Sequence, residues 1–175
     1  MLRQGARRVK QLTIKDIRDL EPCYDPAKYI PENWQGTLVD ILKIDECRPQ
    51  DRLWVVTKLL DDKTNRLFAV WCAREALKLV DNPDKRSIEA CDVAEKFANG
   101  EASKEELAAA RAAAAWVAWD AWDAGDAAAW AAAAWAAAWA ADAADAAAAR
   151  AAAWAAAAWA AQIKHLIEMI KEQSE

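Results

Sequence analysis

The chain has 175 residues, enough for one compact domain or for one domain with an appended helical extension, and a single core at this size buries about 70% of the unfolded surface. Hydrophobic residues make up 55% of it and charged residues 29%, and the net charge is −5. This composition excludes collagen-like, disulfide-scaffold and wholly disordered proteins.

Charge is distributed unevenly along the chain. Residues 1–100 hold 18 basic and 17 acidic residues, whereas residues 101–175 hold 5 and 11. Because phosphate neutralisation requires a basic face, we expect no nucleic-acid partner. The one basic run, Arg3, Arg7, Arg8 and Lys10, is interpreted as a solvated segment.

Four scattered cysteines and one histidine argue against a metal site. Cys23, Cys47, Cys72 and Cys91 form no C-x-x-C pair, so we predict reduced, mostly buried thiols in a cytoplasmic protein. The longest uncharged stretches, Ala127–Ala141 and Ala151–Ile163, are shorter than the roughly 20 residues that span a bilayer. The sequence therefore predicts no membrane helix.

Helix signals begin near the N-terminus and recur at short intervals. Thr13 is a candidate N-cap, Pro22 ends that helix, and residues 23–36 are predicted to be irregular. Thr37 caps a second helix and Pro49 suits the first turn of a third. The apolar positions predicted for these three helices are Leu12, Ile14, Ile17, Leu20, Leu38, Ile41, Leu42, Leu53, Trp54, Val56, Leu59 and Leu60.

Two further helices are predicted before residue 100. One covers Lys63–Val80 and stops at the turn Asp81–Asp84, and the other covers Ser87–Asn99. Gly100 suits the left-handed position after a helix end. The apolar positions of the second helix are Ile88, Cys91, Val93, Ala94 and Phe97. No stretch alternates as a half-buried strand would, so we predict an all-α fold.

From Ser103 the chain becomes rich in alanine and tryptophan. A capping box, Ser103–Glu106, precedes residues 107–161, which contain 37 Ala and 8 Trp. One helix of this length would be about 80 Å long, so we expect turns near Gly125 and Ala141–Asp145. Residues 126–137 and 150–161 repeat one pattern, with a looser copy at 111–116. An amphipathic C-terminal helix follows, with Ile163, Leu166, Ile167 and Ile170 on its apolar side and His165 on the surface.

Tryptophans and charged residues of this second part are the candidate binding residues. Trp116, Trp119 and Trp122 lie beside Asp120 and Asp123, as a cation site would require, although the tryptophans equally suit a core or interface with the aspartates facing water. Tryptophans could also stack on a nucleobase while an arginine binds its phosphate. The full candidate set is Trp116, Trp119, Trp122, Trp130, Trp135, Asp120, Asp123, Arg74, Arg111 and Arg150.

Catalytic motifs are missing from the sequence. His165 is the single histidine, no glycine-rich phosphate loop occurs, and no nucleophile and base pair can be identified. We therefore predict a protein that is not an enzyme and carries no cofactor or metal.

Three segments carry a resemblance to a known family. Leu67–Leu77 (LFAVWCAREAL), Asp84–Ala90 (DKRSIEA) and Ala94–Gly100 (AEKFANG), followed by a Glu-Leu-Ala-Ala-Ala run, resemble the immunity proteins numbered five and especially the immunity-five-like domains of bacteria and phages. The resemblance extends over about residues 50–161. It implies an all-α protein that neutralises a toxin by binding it, with no catalytic residues.

These observations lead to one functional hypothesis with two alternatives. The first is a helical protein of the immunity type that binds a toxin or effector. The second is a phage-type protein that sequesters a nucleotide-like small molecule between Trp and Arg side chains. The third is a structural protein that oligomerises through its alanine-rich helices. The chain is divided by composition into residues 1–100 and 101–175, interpreted as parts of one structural domain.

Overall fold

The computed structural model describes residues 11–78, 82–123 and 159–173. The fold is all-α, as predicted. In order, the described elements are strand β1 (Leu12–Thr13), helix α1 (Ile14–Arg18), a 3₁₀ turn (Pro26–Lys28), strand β2 (Gln35–Gly36), and helices α2 (Leu38–Leu42), α3 (Pro49–Leu59), α4 (Asp62–Leu77), α5 (Lys85–Ala98), α6 (Lys104–Asp123) and α7 (Trp159–Glu172).

Capping boxes begin the two shortest helices. The Thr13 hydroxyl accepts from the Asp16 N–H at 3.4 Å, and the Asp16 carboxylate accepts from the Thr13 N–H at 2.8 Å. Thr37 and Asp40 repeat the arrangement at 3.2 and 2.8 Å. Each box satisfies backbone donors that a five-residue helix would otherwise leave unpaired. Both predicted N-caps are therefore confirmed.

Two short strands, each directly preceding one of these helices in the chain, pair in antiparallel fashion. Leu12 pairs with Gly36 and Thr13 with Gln35. Leu12, predicted on the first helix, thus lies in β1, and Leu20 follows the end of α1. The prediction missed this pairing because two residues are too short for an alternating pattern and the partner is distant in the sequence.

Helix α3 begins at Pro49, as predicted. The face that it buries is wider than the predicted apolar side. Leu53 and Val56 are buried as expected, whereas Trp54 and Leu59 are only partly buried. The polar members of the buried face include Thr57, whose hydroxyl donates to the Leu53 carbonyl at 2.8 Å. Hydrogen bonding of this kind removes the cost of burying a hydroxyl.

Contacts divide the chain into two compact units, Met1–Leu59 with Trp159–Glu175, and Leu60–Ala158. This division differs from the one drawn on composition at residue 100, because α5 and α6 pack together across that boundary. In the first unit, α7 packs on α2 and α3 and buries Leu166 and Ile170. Ile163 and Ile167, predicted on the same apolar stripe, are only partly buried.

The second unit has α4 and α5 packed together and α6 packed on α5. Helix α5 starts two residues earlier than predicted, because Asp84 caps it by accepting from the Arg86 N–H at 2.8 Å. It ends before Gly100, whose φ of +78° is the left-handed conformation expected there. The predicted turns near Gly125 and Ala141–Asp145 lie outside the described residues, as does most of the repeat.

Small residues form the packed face of α5. Ser87, Ala90, Cys91 and Ala94 are buried, whereas Ile88 is 41% exposed and Val93 and Phe97 are half-buried. Of the apolar positions named from the sequence, only Cys91 and Ala94 are therefore fully buried. The buried residues recur at the spacing i, i+3, i+4, i+7, and their small size lets the neighbouring helices approach closely.

Candidate functional site

Trp116 is the most exposed large hydrophobic residue of the described chain. It lies on α6 with 66% of its surface exposed, whereas Ala114 on the same helix is fully buried. Residues two positions apart on an α-helix, such as Ala114 and Trp116, are separated by about 200° around the helix axis. Helix α6 therefore packs an alanine side inward and presents this tryptophan on the opposite side.

Helices α5 and α6 form a helical hairpin, joined by the short connection 99–103. Ser103 and Glu106 make the capping box predicted for the start of α6, with the Ser103 N–H donating to the Glu106 carboxylate at 2.7 Å. Ile88 is the other large hydrophobic side chain exposed in the described chain. We call the exposed sides of α5 and α6, which carry Ile88 and Trp116 respectively, the hairpin surface.

The structure gives Arg74 two acidic partners. Its Nη2 lies 2.9 Å from Asp92 Oδ1 and 2.7 Å from Glu95 Oε2, both on α5. The hydrogen bond that Arg74 donates to the Glu95 carboxylate is the largest cause of the raised pKa of Arg74, and burial opposes it. A phosphate at Arg74 would have to compete with both carboxylates. Asp92 and Glu95 lie three residues apart on one face of α5, but no sequence spacing relates them to Arg74 on α4.

The other candidate residues are placed only in part. Arg111 is exposed on α6. Trp119, Trp122, Asp120 and Asp123 belong to the C-terminal half of α6, and their side chains lie outside the described part. Residues outside the described chain altogether are Trp130, Trp135, Arg150 and the basic run Arg3, Arg7, Arg8 and Lys10.

Thiols and the histidine form no joint site in the described chain. All four cysteines are unpaired; Cys23 is exposed and the other three are buried. Burial raises the pKa of Cys91 to about 12 and raises the pKa of Cys72 still further. His165 is half-buried rather than fully exposed, with Nδ1 4.0 Å from a Glu168 oxygen.

Within the described ranges, no group of three His, Cys, Asp or Glu side chains is arranged to hold a metal ion. None of the helices described is both long and apolar enough to cross a membrane. No known protein family, curated protein or solved structure matches this chain.

Proposed function

We propose that this chain is a non-enzymatic binding protein of the immunity type, which neutralises a toxin or effector by docking it on the hairpin surface. The observation that carries the proposal is the exposure of Trp116 on the side of α6 opposite the buried Ala114. Tryptophan is enriched among the residues that dominate protein–protein binding energy. Covering an exposed side chain of this size removes apolar surface from water, which stabilises the complex with the partner.

Charge favours a basic partner. The unit Leu60–Ala158 has 10 basic and 16 acidic residues, so its field attracts cationic proteins. Such steering raises the association rate more than the final affinity, and salt screens it. A toxin with a basic surface, for example one that acts on nucleic acid or on an anionic membrane, fits this chemistry.

Quantitative affinity capture from the host cells tests the proposal. The full chain and a Trp116→Ala variant serve as baits, with Trp116→Phe as a variant that retains an aromatic anchor. We expect at least one basic protein to be captured by the wild type, strongly reduced with Trp116→Ala and partly retained with Trp116→Phe. Purified partner and wild-type chain should then form a complex that suppresses the toxicity of the partner.

Circular dichroism and thermal unfolding of the variants provide the control. Since Trp116 is largely exposed, its truncation should leave the fold intact. Loss of the fold in Trp116→Ala, or capture of the same proteins in the same amounts by both baits, would contradict the proposal. Sedimentation of the wild type over a range of concentrations distinguishes the docking proposal from the oligomer hypothesis. Self-association through Trp116 would appear in that experiment without any partner.

A further inference from the structure

An open groove with a volume of about 470 Å³ lies beside α7 in the first unit. Its walls come from the end of α2, the following loop, α3 and α7. The lining residues of α7 recur at the spacing i, i+3, i+4, i+7, i+8 and i+11, which is one side of a helix. They are Ala160, Ile163, Lys164, Ile167, Glu168 and Lys171. The groove therefore follows α7 for about 16 Å.

Two isoleucines of α7 keep apolar surface in this groove. Leu166 and Ile170 are buried where α7 packs on α2 and α3. Ile163 and Ile167 line the groove and are only partly buried. Apolar surface with a polar rim is typical of an interaction site, and covering it removes that surface from water.

The rim of the groove is basic. Lys43, Lys164 and Lys171 line it and are exposed. Neither Lys164 nor Lys171 forms an ion pair with any residue that the structure describes. Both lie on the same side of α7 as the two isoleucines, so an occupant that covers the isoleucines also meets the two ammonium groups.

The acidic side chains of the lining do not neutralise these lysines. Asp45 accepts from Arg52 Nη1 at 3.1 Å, and Glu168 lies 4.0 Å from His165 Nδ1. Each is thus next to another basic group of the first unit. The positive rim contrasts with the net charge of −5 on the whole chain, so the groove selects partners of opposite charge to those attracted by the rest of the molecule.

We propose that this groove docks an acidic amphipathic helix of a partner protein. The apolar side of that helix covers Ile163 and Ile167, and its carboxylates meet Lys164 and Lys171. About three helical turns match the length of the groove along α7. A helix fits its concave walls better than the flat surface of a bilayer does. The proposal does not depend on the hairpin surface, which belongs to the other unit.

Fluorescence anisotropy of a labelled peptide on the full chain tests the proposal. The probe has about four helical turns, with leucine along one side, glutamate at the flanking positions and alanine elsewhere. A second peptide carries lysine in place of glutamate, and a third has the composition of the first in scrambled order. We expect saturable one-to-one binding of the first at micromolar concentration, and about tenfold weaker binding of the other two.

Charge reversals decide where the peptide binds. Lys164→Glu and Lys171→Glu should each weaken binding of the glutamate peptide about fivefold, and the double variant should bind the lysine peptide better than the wild type does. Lys58→Glu is the matched control, because Lys58 is an exposed lysine of α3 outside the groove lining. Trp116→Ala should bind the peptide as the wild type does, which keeps this test separate from that of the hairpin surface.

Amide chemical shifts of the isotope-labelled chain locate the contact independently of the variants. The changes on addition of the glutamate peptide should centre on Ile163, Lys164 and Ile167. Absence of saturable binding by that peptide would overturn the proposal. So would shift changes confined to the other unit, or equal weakening by Lys58→Glu and by the groove variants, provided that circular dichroism shows an intact fold in each.

Cosedimentation with vesicles of phosphatidylcholine and phosphatidylserine tests the alternative occupant. We expect no vesicle binding that depends on Lys164 and Lys171. Vesicle binding that their reversal abolishes, together with no binding of the glutamate peptide, would assign the groove to an anionic membrane surface and overturn the proposal of a protein helix.

Discussion

The guanidinium of Arg66 lies over the ring of Phe97, with its central carbon 4.9 Å from the ring centroid. Arg66 is on α4 and only 4% exposed, and Phe97 is near the end of α5. The negative face of an aromatic ring attracts a cation, more strongly where water is excluded. This contact therefore links the two helices and offsets part of the cost of burying the arginine.

Phe97→Leu removes the ring but keeps an apolar side chain of similar reach. We expect it to lower the free energy of unfolding by about 1–2 kcal/mol, because Arg66 loses the ring face and some packing. Phe97→Tyr keeps the ring face and should cost less. Urea denaturation followed by circular dichroism measures both variants, and equal stability of Phe97→Leu and wild type would refute the link.

Gly36 faces the ring of Trp34 in the β1–β2 pairing. A Cβ built on Gly36 would lie 2.4 Å from Trp34 Cζ2, closer than atoms can approach. Gly36→Ala should therefore displace the indole and lower the free energy of unfolding by about 1–3 kcal/mol. A double variant with Trp34→Ala removes the clash. In that background the alanine at position 36 should cost far less, as chemical denaturation of the four proteins would show.

The capping box of α2 should make stability depend on pH. Hydrogen bonds from the Thr37 backbone and hydroxyl lower the pKa of Asp40 below its usual value near 4. The Asp40 carboxylate therefore binds a proton more readily in the unfolded chain than in the folded one. Its contribution to the free energy of unfolding is present above the unfolded pKa and is lost as the pH falls through the lower folded pKa. Asp40→Asn should cost roughly 1 kcal/mol at neutral pH, and the cost should shrink in acid.

Urea denaturation at several pH values between about 5 and 2.5 measures this cost. Glu46→Gln, which removes an exposed carboxylate outside the capping boxes, is the matched control. A destabilisation by Asp40→Asn that stays constant down to the lowest pH would contradict the role assigned to the ionised carboxylate.

Thiol reactivity should separate the four cysteines. Cys23 is exposed, whereas Cys47, Cys72 and Cys91 are buried and burial raises the pKa of each. Since the thiolate is the reactive form, Ellman's reagent should modify one thiol quickly in the folded protein and the other three only on unfolding. Cys23→Ser should abolish the fast phase. A fast phase that survives this substitution would show that a buried thiol is accessible.

Local signals predicted the helix starts, because a cap depends on residues adjacent in the chain. Thr13, Thr37, Pro49 and Ser103 each begin a helix at the expected place, and Gly100 follows one in the expected conformation. The extent of burial was harder to predict. Ile88 is apolar yet exposed and Ser87 is polar yet buried, because the packing of α5 against its neighbouring helices decides which side chains are covered.

Sites made by distant residues could not be predicted. Arg52 and Lys164 are separated by more than a hundred positions and line one groove only because α7 packs on α2 and α3. Arg74 was singled out for its charge alone, and its partners Asp92 and Glu95 lie on another helix. Trp116 was identified as a candidate, but whether it faced water depended on which side of α6 meets α5.

The first unit is assembled from two segments that are made at different times. When α2 and α3 leave the ribosome, α7 is still to be translated, and the intervening Leu60–Ala158 takes roughly 5–20 s at ordinary rates of synthesis. During that interval the apolar surface that Leu166 and Ile170 will cover is unprotected. The second unit, by contrast, is continuous in the chain and completes its synthesis first. The unit that contains α2 and α3 therefore stays incomplete in a growing chain until α7 has been made.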